Sequence, residues 1–285
     1  MGPVAAILPC GTRLHLQHGP IDLIVGADGA REAAFATART RFQTVLEELV
    51  AELPLLRREL RADVPRPSGA VARRMDRAAR PHCDRFVTRM AAVAGAVADE
   101  VLAAMTQATP LTRAYVNNGG DIALHLAPGN AYSIAIAGLE GSDKGRITLR
   151  AEDGIGGIAT SGRGGRSLSM GIADAVTVLA RNAASADVAA TLIANAVDLP
   201  GHPAIHRLPA CEVDPESDLK NHLITNGCGA LSLPEIHDAL QNGRIVAENM
   251  MRRGLIASAC LFLRGETCHA GANRLAPTPG VPEHA

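Results

Sequence analysis

Val116-Asn117-Asn118-Gly119-Gly120-Asp121-Ile122 is the stretch on which the fold turns. It joins two runs of strand-type composition, residues 113–116 and 121–126. Asn followed by Gly between two such runs reads as a hairpin turn, because glycine accepts positive φ at no steric cost. The pair is then antiparallel. Outward from it, short strands are expected at 4–8, 13–16 and 21–25 upstream, and at 132–137, 146–150, 173–180 and 256–263 downstream. Helical spacing of Phe35, Phe42, Val45, Leu49 and Val50 predicts a helix over 30–53, interrupted by Pro54 and continuing over 55–61. Further helices are expected at 86–105, 184–197 and 233–253, with a loop at 63–69 and a Pro-broken connection at 201–215. Helices and antiparallel-type strands mix without a regular βαβ alternation, which makes the fold class α+β. Residues 1–276 read as one unit, and 277–285 as a disordered tail.

Composition narrows the function. The 285 residues carry a net charge of −1, so no long-range field gathers nucleic acid or an anionic membrane. Two Tyr, four Phe and no Trp leave little for base stacking. The six cysteines include no Cys-x-x-Cys pair, which argues against a zinc site and against a disulfide framework. The N-terminus lacks a basic segment followed by a long apolar core, and the apolar run 90–97 is too short for a bilayer. The expectation is a cytoplasmic protein with a small-molecule ligand, no nucleic-acid or membrane partner, and self-association left open.

Three clusters carry chemical suggestions. The Asn-Gly-Gly-Asp turn permits close backbone approach at Gly119 and Gly120, although alone it reads as a hairpin. Residues 154–171 hold seven glycines in eighteen. Their amides could ring an anion, with hydroxyls from Thr160, Ser161 and Ser167 beside Gly162 and charge from Arg163 and Arg166. No Gly-Lys-Ser/Thr closes the segment, so it is no P-loop, and a flexible surface loop fits it as well. Third, Asp187 and Thr191 stand four apart on one helix face. Ser185 as N-cap places Asp187 in the first turn, where two hard oxygens beside unpaired backbone N–H groups suit Mg²⁺ and a phosphate. A dipole partner and a core threonine explain the same pair. His202 and His206 flank Pro203 and share no helix face, and Cys268-His269 shows no catalytic signature.

Taken in order, Asn117 to Asp121, Thr160 to Gly162 and Ala186 to Thr191 resemble the motifs of the ApbE superfamily, founded on FAD:protein FMN transferases. The strand Ala175-Val176-Thr177-Val178 falls where that family's Val-Thr-Val strand does. Met90 to Ala98, Ser167-Leu168-Ser169, Ala173-Asp174-Ala175 and Pro215 to Leu219 look like the uncharacterised UPF0280 branch. The resemblance covers roughly residues 15 to 265. It implies a T-fold-related architecture of mixed and antiparallel sheets with packed helices. It also implies Mg²⁺ held by Asp187 and Thr191 with a backbone carbonyl near Ala92 to Ala94.

Two departures bear on the reaction. The transferases' Lys-Gly is Ala94-Gly95 here, and their His-containing segment is replaced by Arg163 to Met170. The resemblance therefore implies an enzyme of cofactor or one-carbon metabolism binding a small, planar, phosphorylated or anionic heterocycle with Mg²⁺. FAD, FMN, a pterin and a nucleotide are the candidates, since relatives of this branch occur in methanogens. Asn118, Gly119, Gly120, Asp121, Thr160, Ser161, Gly162 and Ser167 would line that ligand. Transfer of FMN to a protein threonine and ligand binding without turnover are the alternatives.

Overall fold

The structure, a computed structural model, describes residues 2–137, 143–165, 167–272 and 275–276. Arg166 and the expected tail lie outside the described residues. Three strands open the chain: β1 (Val4–Ile7), β2 (Arg13–His18) and β3 (Ile21–Gly29). Helices α1 (Arg31–Phe42), α2 (Val45–Ala51), α3 (Leu53–Leu56), α4 (Ala70–Ala79) and α5 (Val93–Ala108) follow. Five more strands are β4 (Leu111–Asn118), β5 (Asp121–Leu126), β6 (Ala131–Ala137), β7 (Asp143–Arg150) and β8 (Gly157–Ser161). Then come β9 (Ala175–Ala180), α6 (Ala183–Ala196), β10 (Ile205–Pro209), α7 (Ala210–Val213) and β11 (Leu223–Cys228). The chain closes with α8 (Leu233–Arg252), β12 (Ser258–Leu263), β13 (Glu266–Ala270) and β14 (Leu275–Ala276).

Nine strands form one sheet in the order β1-β2-β3-β4-β5-β8-β9-β12-β13, antiparallel at each junction. Side chains alternate between its faces. Val116, Ala123 and Val178 join the main core beneath α1, α5, α6 and α8, whereas Tyr115, Leu124 and Leu179 point the other way. That second face meets the small sheet β14-β7-β6 through Ile147, Leu149 and Tyr132. The α+β reading stands. The β4–β5 hairpin also stands: Asn118 pairs with Asp121, and the two-residue loop between them has φ of 66° at Gly119 and 113° at Gly120. The Asn117 side chain accepts the Gly120 N–H at 2.8 Å and fixes the turn.

Several boundaries differ from the sequence expectation. The helix expected over 30–53 breaks between α1 and α2, where the Arg41 guanidinium ties Glu48 to Glu100. The helix expected from residue 86 begins at Val93, after a 3-10 turn at Arg89–Ala92. Arg89 is fully buried and donates to Asp76 and to the carbonyls of Leu55 and Pro65, which holds that turn out of the helix. Helix α4 lies outside the sequence expectation; its buried face is Val71, Ala72, Met75, Asp76, Ala78 and Ala79, interspersed with arginines. The connection at 201–215 contains β10 and α7, and β10 pairs with β11.

Part of the Gly-rich stretch is a packing surface. A Cβ on Gly157 would lie 2.1 Å from the Asn182 carbonyl carbon, and one on Gly171 would lie 2.1 Å from the Ala194 oxygen. These two glycines let backbone press on both ends of α6, whereas Gly162, Gly164 and Gly165 line a cavity.

Candidate functional site

The site begins where two helices cross at their first turns. A Cβ on Gly95 would lie 2.3 Å from the Ala183 oxygen, so only glycine permits this approach of α5 to α6. Each helix leaves its first N–H groups without intrahelical partners. At this crossing each helix supplies the other's missing acceptor. Asp99 of α5 accepts from the Ala183 and Ala184 N–H groups of α6 at 3.0 and 2.9 Å. Asp187 of α6 accepts from the Gly95 N–H of α5 at 3.0 Å, and the Ala94 N–H also stabilises its charge. The helix dipoles favour both carboxylates.

This geometry corrects the expected cap. Asn182, and not Ser185, is the N-cap of α6, its side chain accepting the Ser185 N–H at 2.8 Å. Asp187 therefore stands in the second turn of its own helix and serves the first turn of its neighbour. Asn118 joins the same junction, being buried and donating to the Ala94 carbonyl at 3.1 Å. The carbonyl segment that resemblance assigned to a cation thus sits directly between Asn118 and Asp187.

The residues expected to share one site divide between two cavities. Asp121, Ser167, Asp187 and Thr191 line the first, of about 500 Å³. Gly119, Gly120, Thr160, Ser161 and Gly162 line the second, of about 350 Å³, together with Ile122, Ile134 and Ile158. The β4–β5 hairpin is the partition, with Asp121 on one side and its two glycines on the other. Thr160 meets Thr177 across the β8–β9 pair, hydroxyl to hydroxyl at 2.9 Å. Arg163 faces Asp174 at 3.2 Å, so its charge is already matched by a carboxylate.

The first cavity is strongly acidic. Among the described residues its charged lining is Asp121, Asp187, Asp214, Glu216 and Asp218 against Arg57, and Arg57 pairs with Glu216 at 3.1 Å. Burial pushes the Asp187 carboxyl well above the usual carboxylate range, and the negative charge of Asp121 adds to this. A cation between them would reverse both causes. Two carboxylates and the Thr191 hydroxyl are hard oxygen donors of the kind Mg²⁺ takes, with water completing its shell. Among the described residues no three His, Cys, Asp or Glu side chains gather closely enough to hold a metal by themselves. The donor set therefore fits a hydrated hard cation and does not fit zinc.

Three features escaped sequence reasoning. Asp99 sits four residues after Gly95, a spacing that gains meaning only once α6 is placed against it. The acidic wall 214–218 alternates Asp214, Glu216 and Asp218; Asp218 accepts from the Thr88 hydroxyl, which holds the wall against the start of the α5 segment. Phe86 also lines the cavity, and its ring lies 3.7 Å, centroid to centroid, from that of His222. The remaining candidates have structural partners. His202 bonds to Glu235 at 2.9 Å, at the start of α8. Burial raises the Cys268 thiol and lowers the neighbouring His269 imidazole, which disfavours a thiolate–imidazolium pair.

Comparison with known proteins follows the same lines. A family model described as AbpE bacteria matches residues 5–269. A UPF0280 protein of Methanopyrus kandleri is 36% identical over 183 residues, covering 61% of this chain and 69% of its own. One from Methanothrix thermoacetophila is 37% identical over 158 residues, covering 54% of this chain and 65% of its own. Among solved structures, the apo flavinyl transferase ApbE of Pseudomonas stutzeri aligns with TM-score 0.44 and 12% identity over 95% of this chain and 96% of its own. The ApbE protein of Thermotoga maritima aligns with TM-score 0.48 and 11% identity over 90% and 96%. No helix among the described residues is long and apolar enough to cross a membrane.

Proposed function

The chain belongs to the AbpE family of bacteria, in the UPF0280 branch of the ApbE-like superfamily, and from that premise we propose that it binds a small planar anionic heterocycle together with Mg²⁺. The observation that carries the proposal is the convergence of Asp121, Asp187 and Thr191 on one cavity. Asp187 and Thr191 would hold the ion with help from Asp121, and a bound Mg²⁺ would neutralise phosphate charge and act as a Lewis acid toward it. A phosphorylated ligand would otherwise meet, among the described residues, five acidic side chains and one arginine there. The Ser167 hydroxyl would offer a donor from the cavity lining, and Phe86 an apolar face. Flavins, pterins and nucleotides share this chemistry, and cofactor or one-carbon metabolism is the setting proposed for it.

The cavity's described lining contains no histidine and no lysine, so general acid–base work would fall to carboxylates. Transfer of FMN to a threonine is the second reading, favoured by the retention of Asp187 and Thr191 at their motif positions. Thermal-shift titrations with Mg²⁺ plus FAD, FMN, a reduced or oxidised pterin, or ATP test the first reading. Stabilisation by at least one pair, absent in Asp187→Ala, is the expected result. If no pair stabilises the wild type, or if both proteins respond equally, the assignment is wrong. Mass spectrometry of a threonine-containing acceptor after incubation with FAD and Mg²⁺ decides the second reading.

A further inference from the structure

We infer that Asp99 is the positioning residue for Asp187, and that the two carboxylates operate as one exchanged pair. The inference rests on the reading of Asp187 as a cation ligand. Its geometry is reciprocal. Asp99 lies four residues after Gly95, whose N–H is bound by Asp187. Asp187 lies four residues after Ala183, whose N–H is bound by Asp99. Each helix therefore presents a first-turn amide and, one turn further on, the carboxylate that answers the other helix's amide.

The exchange fixes more than helix ends. Asp99 is buried and spends both oxygens on α6, one on each of two successive amides. That bidentate hold sets the first turn of α6 against Gly95, where no side chain intervenes. Asp187 rides on the second turn of the same helix. The position of its carboxylate over the cavity is thus set by a residue that does not line that cavity. Removing one acceptor of Asp99 lets the first turn of α6 shift. The shift then reaches Asp187, its bond to Gly95 and the cation-binding oxygens.

The test uses Asp99→Asn in the full chain. The amide has nearly the shape of the carboxylate, but only one of its two terminal atoms accepts, so one of the two α6 amides loses its partner. Mn²⁺, a paramagnetic substitute for Mg²⁺, is titrated and followed by electron paramagnetic resonance at a temperature where both proteins are folded. Outer-shell partners of metal ligands typically contribute about 10- to 100-fold in affinity, and a loss of that size is expected for Asp99→Asn. Native-state amide hydrogen exchange gives a second readout that needs no metal. Faster exchange is expected at Ala94 and Gly95, the amides served by Asp187, as well as at Ala183 and Ala184.

A residue that only stabilised the fold would lower the melting temperature while leaving Mn²⁺ affinity and Gly95 exchange in the folded protein unchanged, and that outcome overturns the inference. Wild type that binds no Mn²⁺ removes the cation reading; exchange at Gly95 then decides whether Asp99 positions Asp187. Should Asp99→Asn fail to fold, Asp99→Glu takes its place. It keeps both acceptors but displaces them by one methylene, and unchanged affinity and exchange there count against the pairing.

Discussion

Gly95→Ala puts opposite physical effects in competition. Helix propensity alone favours alanine by about 1 kcal/mol. Crowding opposes it, because the new methyl would sit 2.3 Å from the Ala183 oxygen, 2.4 Å from its carbonyl carbon and 2.7 Å from the Ala184 nitrogen. All three are backbone atoms, so no side-chain rotation relieves them. A carbon needs at least about 3.0 Å there, so α5 and α6 must separate by roughly 0.7 Å at their crossing. Overpacking of this kind costs about 1–3 kcal/mol. The separation also weakens the hydrogen bonds to Asp187 and Asp99, each worth about 0.5–1.5 kcal/mol when intact. The net expectation is a destabilisation of about 2–4 kcal/mol. Urea unfolding followed by far-ultraviolet circular dichroism measures it, since the chain has no Trp for fluorescence. Gly120→Ala serves as control: it has open space and only a φ of 113° to resist, which isolates backbone strain from crowding. A Gly95→Ala protein as stable as wild type, or more stable, would show that propensity wins and that the helices do not cross so closely.

Other expectations follow from the same structure. Burial lowers the His82 imidazole to about 4, with Arg253 and Arg85 adding to the effect, against about 6.5 for a free histidine. A depressed folded-state value means that its stabilisation is present above pH ~6.5 and is lost as pH falls towards 4. At about 1.4 kcal/mol per pH unit this amounts to roughly 2 kcal/mol between pH 6.5 and 5, and His82→Leu should flatten that limb of the stability profile. Arg89→Met removes the cation buried beside Asp76 and leaves its carboxylate with Arg80 alone; a loss of about 3–5 kcal/mol in urea unfolding is expected, and a neutral result would show that the pair is dispensable. Asn118→Ala withdraws the donor to the Ala94 carbonyl, with an expected loss of about 1–3 kcal/mol and faster exchange in the first turn of α5. Thr191→Val keeps the shape and deletes the hydroxyl, so Mn²⁺ affinity should fall while the urea midpoint holds.

Local chemistry was legible where its cause is local. Gly119-Gly120 announces a turn because a positive φ is a property of single residues. Asp187 and Thr191 announce a shared face because helix geometry spans four residues. The purpose of Gly157 and Gly171 was not legible, since what they admit is the backbone of α6, placed there only by the sheet. Asp99 was hidden for the same reason, as its partners lie 84 and 85 residues away. The division of the hairpin between two cavities follows in part from strand alternation: Asn118 and Asp121 pair on the face that carries Val116 and Ala123, while Asn117 and Ile122 beside them line the second cavity with the two loop glycines, and a contiguous motif need not be a contiguous site.

The crossing of α5 and α6 also sets a schedule. Gly95 and the carboxylate that serves it are 92 residues apart. At about 5–20 residues per second of synthesis, the first turn of α5 waits roughly 5–18 s for Asp187 to be made. Through that interval Asp99 has no helix to cap, and the amides of Ala94 and Gly95 have only water. The proposed cation site would therefore not exist before α6 docks into its glycine-lined bed. An ion bound between Asp187 and Asp121 would report that the crossing of α5 and α6 has closed.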